Sequence, residues 1–251
     1  MNDLFWLSEP QMGRMASYFP RSHGGPRVDD RRVISGIVFV IRNGLRWPDA
    51  PRDYGPHKTI YTRFGRWSRL GVFNRIFAEL ARKAGKPDRL MIGATHLKAH
   101  RTAASLRKKG LFPRRIGRTK GGLNAKLHAV CDGKGRPLVM LLSEGQMSGF
   151  TGAALMLPLM PKARELLAGK GYDAGWFRAA LAKRKTKACI PSKSNRKAPV
   201  PHDATLSRQR HRIENMFGRL KDWRRVYTRY DSCAHTCFSA ICIAAAVVFW
   251  L

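Results

Sequence analysis

Between Ala204 and Tyr227 the carboxylate of Glu214 lies in a field of arginines, ATLSRQRHRIENMFGRLKDWRRVY. Apolar residues recur at Ile213, Phe217, Leu220 and Trp223 or Val226, the three-to-four spacing of a helix with one buried stripe, so the stretch is expected as a single long helix. On that cylinder Arg210, Glu214, Gly218 and Lys221, spaced by four, four and three, share an edge, and Arg208, Arg212, Arg219, Arg224 and Arg225 carry the rest of the polar face. One acid thus shares an edge with two bases. An acid four residues after an arginine is by itself an ordinary surface ion pair worth a few tenths of a kcal/mol. What it does depends on the partner that the rest of the chain selects and on the elements that position it.

The partner is indicated by charge. In 251 residues there are 48 Lys and Arg against 16 Asp and Glu, a formal charge of +32. Self-repulsion on that scale is tolerated mainly by proteins whose partner is a polyanion, and nucleic acid is the first candidate. The basic residues run along the whole chain and are not gathered beside a lipid-inserting stretch, which argues against a membrane surface. The start, MNDLFWLSEPQM, has neither the basic opening nor the apolar run of a secretory signal, so a cytoplasmic, nucleoid-associated location is expected. Cys131, Cys189, Cys233, Cys237 and Cys242 are odd in number and contain no CxxC pair, so they suggest neither a disulfide framework nor a zinc knuckle. Cys233, His235 and Cys237 lie in an apolar segment and read as buried thiols with a capped histidine.

The first 86 residues read as a small all-helical domain and a candidate DNA contact. Ser8 caps EPQMGRMASYF, and VDDRRVISGIVFVIRNG stops at Asn43-Gly44. HKTIYTRFGRWSRLG and VFNRIFAELARKAGK are separated by Gly71, and Arg63, Arg66 and Arg69 could share an exposed face. A helix-turn-helix in a DNA groove and a bundle that only packs on its neighbour are equally open. From Arg89 the pattern changes. RLMIGATHLKAH reads as a strand, and residues 100–126 read as a basic loop suited to phosphate contact. AKLHAVCD-GKGR-PLVMLLSEG is a hairpin, GFTGAALMLPLMPKARELL a broken helix, and LLAGKGYDAGWFRAALAKRK a strand, a glycine-rich turn and a helix. TKACIPSK is one more strand, and SAICIAAAVVFWL, too short to span a bilayer, is a core helix.

The run RQRHRIENMFGRLKDWRR resembles the signature helix of the DDE transposases of bacterial insertion sequences, in the insertion sequence five branch. The pattern there is Tyr, two residues, Arg, three residues, Glu, six residues, Lys; Arg210, Glu214 and Lys221 match it and Ser207 stands where the Tyr is expected. GLRWPDAP, YGPHKTIYTRF and Trp67 resemble the family's helical N-terminal domain, and GRTKGGLNAKLHAVCDGKGRPL and RYDSCAHTCFSAICIAAAVVFWL extend the likeness over most of the chain. The resemblance implies an α/β fold, a ribonuclease-H-like catalytic domain over 87–251 preceded by the helical domain, and strand cleavage and transfer at element ends. Double-stranded DNA, as terminal inverted repeats and as target, would be the partner of a homo-oligomer, with no membrane involved.

That chemistry places two Mg2+ or Mn2+ ions on the attacking and leaving oxygens, held by three acids. Glu214 is the third of these. The positions of the first two, within MIGATHLKAHRTAASL and LLAGKGYDAGWF, are Gly93 and Gly169, and Gly175 also stands where an acid is expected. Asp173 is the rescue candidate, with helix capping as its alternative role, and Asp88 precedes its strand. DNA contacts are expected from Arg210, Lys221, Lys98, Arg101, Arg114, Arg115, Arg118, Lys120, Arg224 and Arg225. The resulting expectation is a folded, DNA-binding transposase impaired in cleavage. A non-enzymatic DNA-binding protein, a decayed or inhibitory copy, is the alternative, and general RNA binding is a third reading.

Overall fold

A computed structural model describes residues 3–20, 29–104 and 113–251, so 105–112 of the expected basic loop lie outside the described residues. The chain divides into two compact units: Met1–Leu80 with Ala99–Arg114 and Leu220–Leu251, and Ala81–Lys98 with Arg115–Arg219. This differs from a division at residue 86, because the C-terminal segment belongs with the N-terminal helices.

In the first unit, α1 (Glu9–Gly13) begins at Ser8, which forms a reciprocal capping box with Gln11. The central helix α2 (Asp30–Asn43) is capped by the Asp29 carboxylate and ends at Gly44, whose φ of 68° is the left-handed conformation expected at a helix stop. The predicted stripe Val33, Ile34, Ile37, Val38 and Ile41 is buried, but Phe39 and Val40 are buried as well. More than one face of α2 is therefore covered. The covering elements are α3 (His57–Arg69) and, from the far end of the sequence, α10 (Arg224–Tyr227) and α11 (Ala234–Phe249). Cys242, Ile243 and Ala246 of α11 meet Ile34, Val38, Phe73 and Ile76, the last two from α4 (Val72–Arg82). A Cβ at Gly44 would lie 2.7 Å from Arg224 Cβ, so glycine also permits that close approach. The short α5 (Arg101–Ala104) completes this unit.

The second unit is built on a sheet. β3 (Gly122–Asp132) lies between β1 (Arg89–Ala99) and β4 (Pro137–Glu144), antiparallel to both, and β2 (Gly117–Thr119) pairs with the first residues of β3. Beyond β1, β5 (Glu165–Ala168) and β6 (Lys187–Cys189) continue the sheet in parallel. This is the ribonuclease-H-like arrangement. Residues 117–126, expected as loop, are instead β2, a turn and the start of β3. Gly122 at φ 90° makes that turn, and Asn124 secures it by donating to Thr119 Oγ1 and the Gly122 carbonyl.

One face of this sheet carries Leu90, Ile92, Val130, Leu166 and Ala168 against α6 (Gly149–Met156) and α7 (Gly175–Lys183), through Ala153, Met156, Phe177 and Leu181. On the other face, Gly93 meets Ile213 and Phe217 of the signature segment. That segment is not one helix but three pieces: α8 (Ala204–Arg208), α9 (His211–Lys221) and α10. At the first break Gln209 accepts from Arg89 Nη1 at 2.6 Å, and Arg89 also pairs with Glu165 at 3.0 Å. The second break lets both Trp223 and Val226 be buried, where one continuous stripe would have chosen between them.

Candidate active site

β1 and β5 are parallel neighbours whose last paired residues are Ile92 and Ala168. The next residue on each is Gly93 and Gly169. Side chains alternate across a strand, so both positions turn away from the Ile92 and Ala168 core and toward α9. A Cβ at Gly93 would lie 3.2 Å from Ile213 Cδ1 and 3.3 Å from Phe217 Cε2, the residues one before and one turn after Glu214. At Gly169 it would lie 3.9 Å from the Arg210 guanidinium with nothing closer, and Arg210 Nη1 pairs with Glu214 Oε1 at 2.7 Å. The two strand positions and the helix carrying Glu214 thus converge at one end of the sheet.

The donor set there does not suit a pair of divalent cations. Mg2+ takes hard oxygen ligands and gives up water reluctantly, so the charge of several carboxylates has to favour it. Glycine supplies no ligand atom, and Glu214, 58 % exposed, is already paired with a guanidinium that also stands over Gly169. That guanidinium opposes a cation in the same space. Among the described residues no group of three or more His, Cys, Asp and Glu could hold a metal ion.

Other acids of this unit have their own partners. Asp173, the rescue candidate, is a correction: its side chain is 1 % exposed and saturated. Oδ1 accepts from Arg178 Nε at 2.9 Å and Arg196 Nη1 at 2.7 Å, and Oδ2 accepts from the Lys193 N–H at 3.0 Å. Burial alone would raise its pKa, but the Lys193 N–H and the two guanidinium groups outweigh burial and bring it down to about 2. Nor does it cap α7, whose N-cap is Ala174 with no side-chain bond. Asp132 holds the hairpin turn through the N–H groups of Lys134 and Arg136, Glu144 pairs with Arg115, Glu165 with Arg89, and Asp203 caps α8. Gly175 is the first residue of α7, and Asp88 pairs at the surface with Arg164.

The expected DNA-contacting cations separate into two kinds. Lys98, Arg115, Arg118 and Lys120 are exposed in the sheet unit, as are Arg101 and Arg224 in the helical unit. Lys221 is partly buried, which lowers its pKa, and Arg210 is shared with Glu214. Arg114 is partly buried and donates to the Ala104 carbonyl. Arg225 is a second correction. It is buried between Asp231, at 3.2 Å, the Leu45 carbonyl and the Trp47 ring, and so holds α10 to the loop after α2. Arg63 is likewise tied to Asp30 at 3.2 Å and leaves Arg66 and Arg69 exposed. Also binding parts of this unit together are Arg178 and Arg196, which hold Asp173, and Arg89 with Gln209, which pair where β1 begins. Arg178 stands little more than a helical turn beyond Asp173, which is a usable signal; Arg196 gives none.

Two family models match successive parts of the sequence. The transposase DDE domain matches residues 84–248. This chain belongs to the DDE-domain transposase family. The model for transposases of the IS4/5 family matches residues 7–77 of this transposase-family chain. Among curated relatives, it is 31 % identical over 130 residues to the transposase for insertion sequence element IS6501 of Brucella ovis, covering 51 % of this chain and 99 % of the relative. It is 34 % identical over 113 residues to protein y4sN of Sinorhizobium fredii, covering 43 % of this chain and 90 % of the relative. Among solved structures, a piggyBac transposase synaptic complex with hairpin DNA aligns at a TM-score of 0.40 and 13 % identity, over 79 % of this chain and 51 % of that one. The Mos1 strand transfer complex aligns at 0.33 and 9 %, over 90 % and 78 %. The transposase-family chain therefore spans about half the length of the piggyBac protein. No helix among the described residues is long and apolar enough to cross a membrane.

Proposed function

We propose that this transposase-family chain binds double-stranded element-end DNA, as a homo-oligomer on the nucleoid, and is impaired in metal-dependent strand cleavage. Membership in the family supports the first part, as do the formal charge of +32 and the exposed cations Lys98, Arg101, Arg115, Arg118, Lys120 and Arg224. One observation carries the second part: adjacent strand positions facing α9 are Gly93 and Gly169, and the remaining acid, Glu214, is neutralised by Arg210. In the family these acids hold the divalent ions that activate the attacking oxygen and stabilise the leaving one. Here the same end of the sheet offers a guanidinium for a phosphate and one carboxylate.

A nicking assay on terminal-inverted-repeat duplex with Mg2+ or Mn2+ tests this reading beside a gel shift across salt concentrations. Salt-sensitive binding without cleavage is expected; robust divalent-dependent cleavage by the unaltered chain refutes the impairment. The double variant Gly93→Asp with Gly169→Asp is expected to gain cleavage. A well-folded double variant that still does not cleave counts against assigning these two positions to the missing acids.

A further inference from the structure

At the opposite end of the same sheet, the segments that lead into the three parallel strands converge on an open cleft of about 620 Å³. Pro87 and Asp88 precede β1, Ala163 and Arg164 precede β5, and Arg184 and Lys185 lie just ahead of β6. With Lys86, Lys162 and Lys183, these segments line the cleft with six cationic side chains and one acid, Asp88, which pairs with Arg164 at 3.3 Å. The floor is fixed by backbone bonds: the Arg164 N–H donates to the Asp88 carbonyl at 2.9 Å, and the Lys187 N–H to the Arg164 carbonyl at 2.8 Å. Thr186 Oγ1 also donates to the Ala163 carbonyl at 2.9 Å. Arg184 is committed to the Met160 carbonyl. Lys86, Lys162, Lys183 and Lys185 are exposed and form no salt bridge among the described residues.

Part of this charge has a local explanation, since Lys183 and Arg184 stand at the C-terminus of α7, where cations offset the helix dipole. That leaves Lys86, Lys162 and Lys185. Lys185 holds a φ of 58°, a conformation in which glycine is the residue normally found after a helix, so the backbone here accepts a lysine at some cost. A wide cleft with cations arriving from separate segments suits a ligand with repeated, spaced negative charge better than one small anion.

We infer that this cleft is a second duplex-docking surface, which holds a DNA phosphodiester backbone at the sheet end remote from Gly93, Gly169 and Glu214. Four residue steps along β1 separate Arg89 from Gly93, about 13 Å at strand rise, so the two surfaces lie at opposite ends of one sheet. The inference rests on the DNA-binding reading above and locates a second segment of DNA.

The test uses the full chain carrying Lys86→Glu, Lys162→Glu and Lys185→Glu, against a control with equal charge change at exposed residues of the helical unit, Arg14→Glu, Arg52→Glu and Arg75→Glu. Duplex affinity is measured across salt concentrations. Each lost phosphate contact removes about 0.9 from the slope of log affinity against log salt, so the cleft variant is expected to lose about 2 to 3 from it, with at least a tenfold loss of affinity at moderate salt. The control is expected to lose less than a third as much. The neutral triple Lys→Gln at the cleft positions guards against misfolding and should show the same slope change with a smaller loss of affinity. Equal losses in cleft and control variants, or an unchanged slope in the cleft variants, overturn the docking surface alone. Absence of salt-dependent duplex binding by the unaltered chain overturns both this inference and the reading on which it rests.

Discussion

Asp173 and Glu214 are two carboxylates of the same unit, each held by arginine, and their surroundings give them opposite roles. Asp173 is buried, accepts from two guanidinium groups and a backbone N–H, and keeps its charge because all its bonds reward ionisation. Glu214 is more than half exposed and meets Arg210. Saturation ties a carboxylate to the fold; exposure leaves it open to exchange one partner for another. Of these two acids, Glu214 beside Gly169 is the one that contributes less to stability.

The widest separation between the two is expected on truncation. Asp173→Ala leaves Arg178 and Arg196 without their buried counter-charge and should cost about 3–5 kcal/mol in urea denaturation; a loss below about 1 kcal/mol would remove the contrast. Acid titration sharpens it next. A carboxyl whose folded pKa is about 2 contributes stability that is fully present above its unfolded value, near 4, and is lost as pH falls from about 4 to about 2. A decline on the order of 2 kcal/mol across that window is expected for the parent chain and not for Asp173→Asn.

The two glycines provide a smaller contrast. Gly93→Asp must displace Ile213 or Phe217 and is expected to lower stability by about 1–2 kcal/mol, whereas Gly169→Asp opens toward Arg210 and should change it by less than about 1 kcal/mol. Thermal unfolding of the single variants orders them, and the reverse order would mean that α9 does not close over Gly93. The smallest effect belongs to Glu214→Gln, below about 1 kcal/mol by the same measurement.

Much of this was legible in the sequence. The buried stripe Ile213, Phe217 and Leu220, the hairpin around Gly133 to Arg136 and the stop of α2 at Gly44 follow from local pattern, and each is present. The glycine positions depended on resemblance, because no spacing within one chain marks a missing side chain. The breaks around α9 were hidden for a physical reason. Neither contains Gly or Pro; the first turns where Gln209 binds Arg89, a partner far away in sequence, and the second turns so that both Trp223 and Val226 are buried. The partners of Asp173 were hidden for the same reason, since Arg196 and the Lys193 N–H reach it from a separate polar linker. The apolar C-terminus announced a buried helix, but periodicity shows that a face is covered without showing by what.

That helix, α11, has a consequence for how the protein comes into being. On the ribosome, α2 and α3 emerge early with an oily surface that α11 covers only after the entire sheet has been translated. Pairing between such distant parts of a chain is slow and leaves the early half vulnerable to proteases and self-association. A gene interrupted before residue 234 would therefore yield a polypeptide that cannot complete its helical unit, whatever the fate of its sheet.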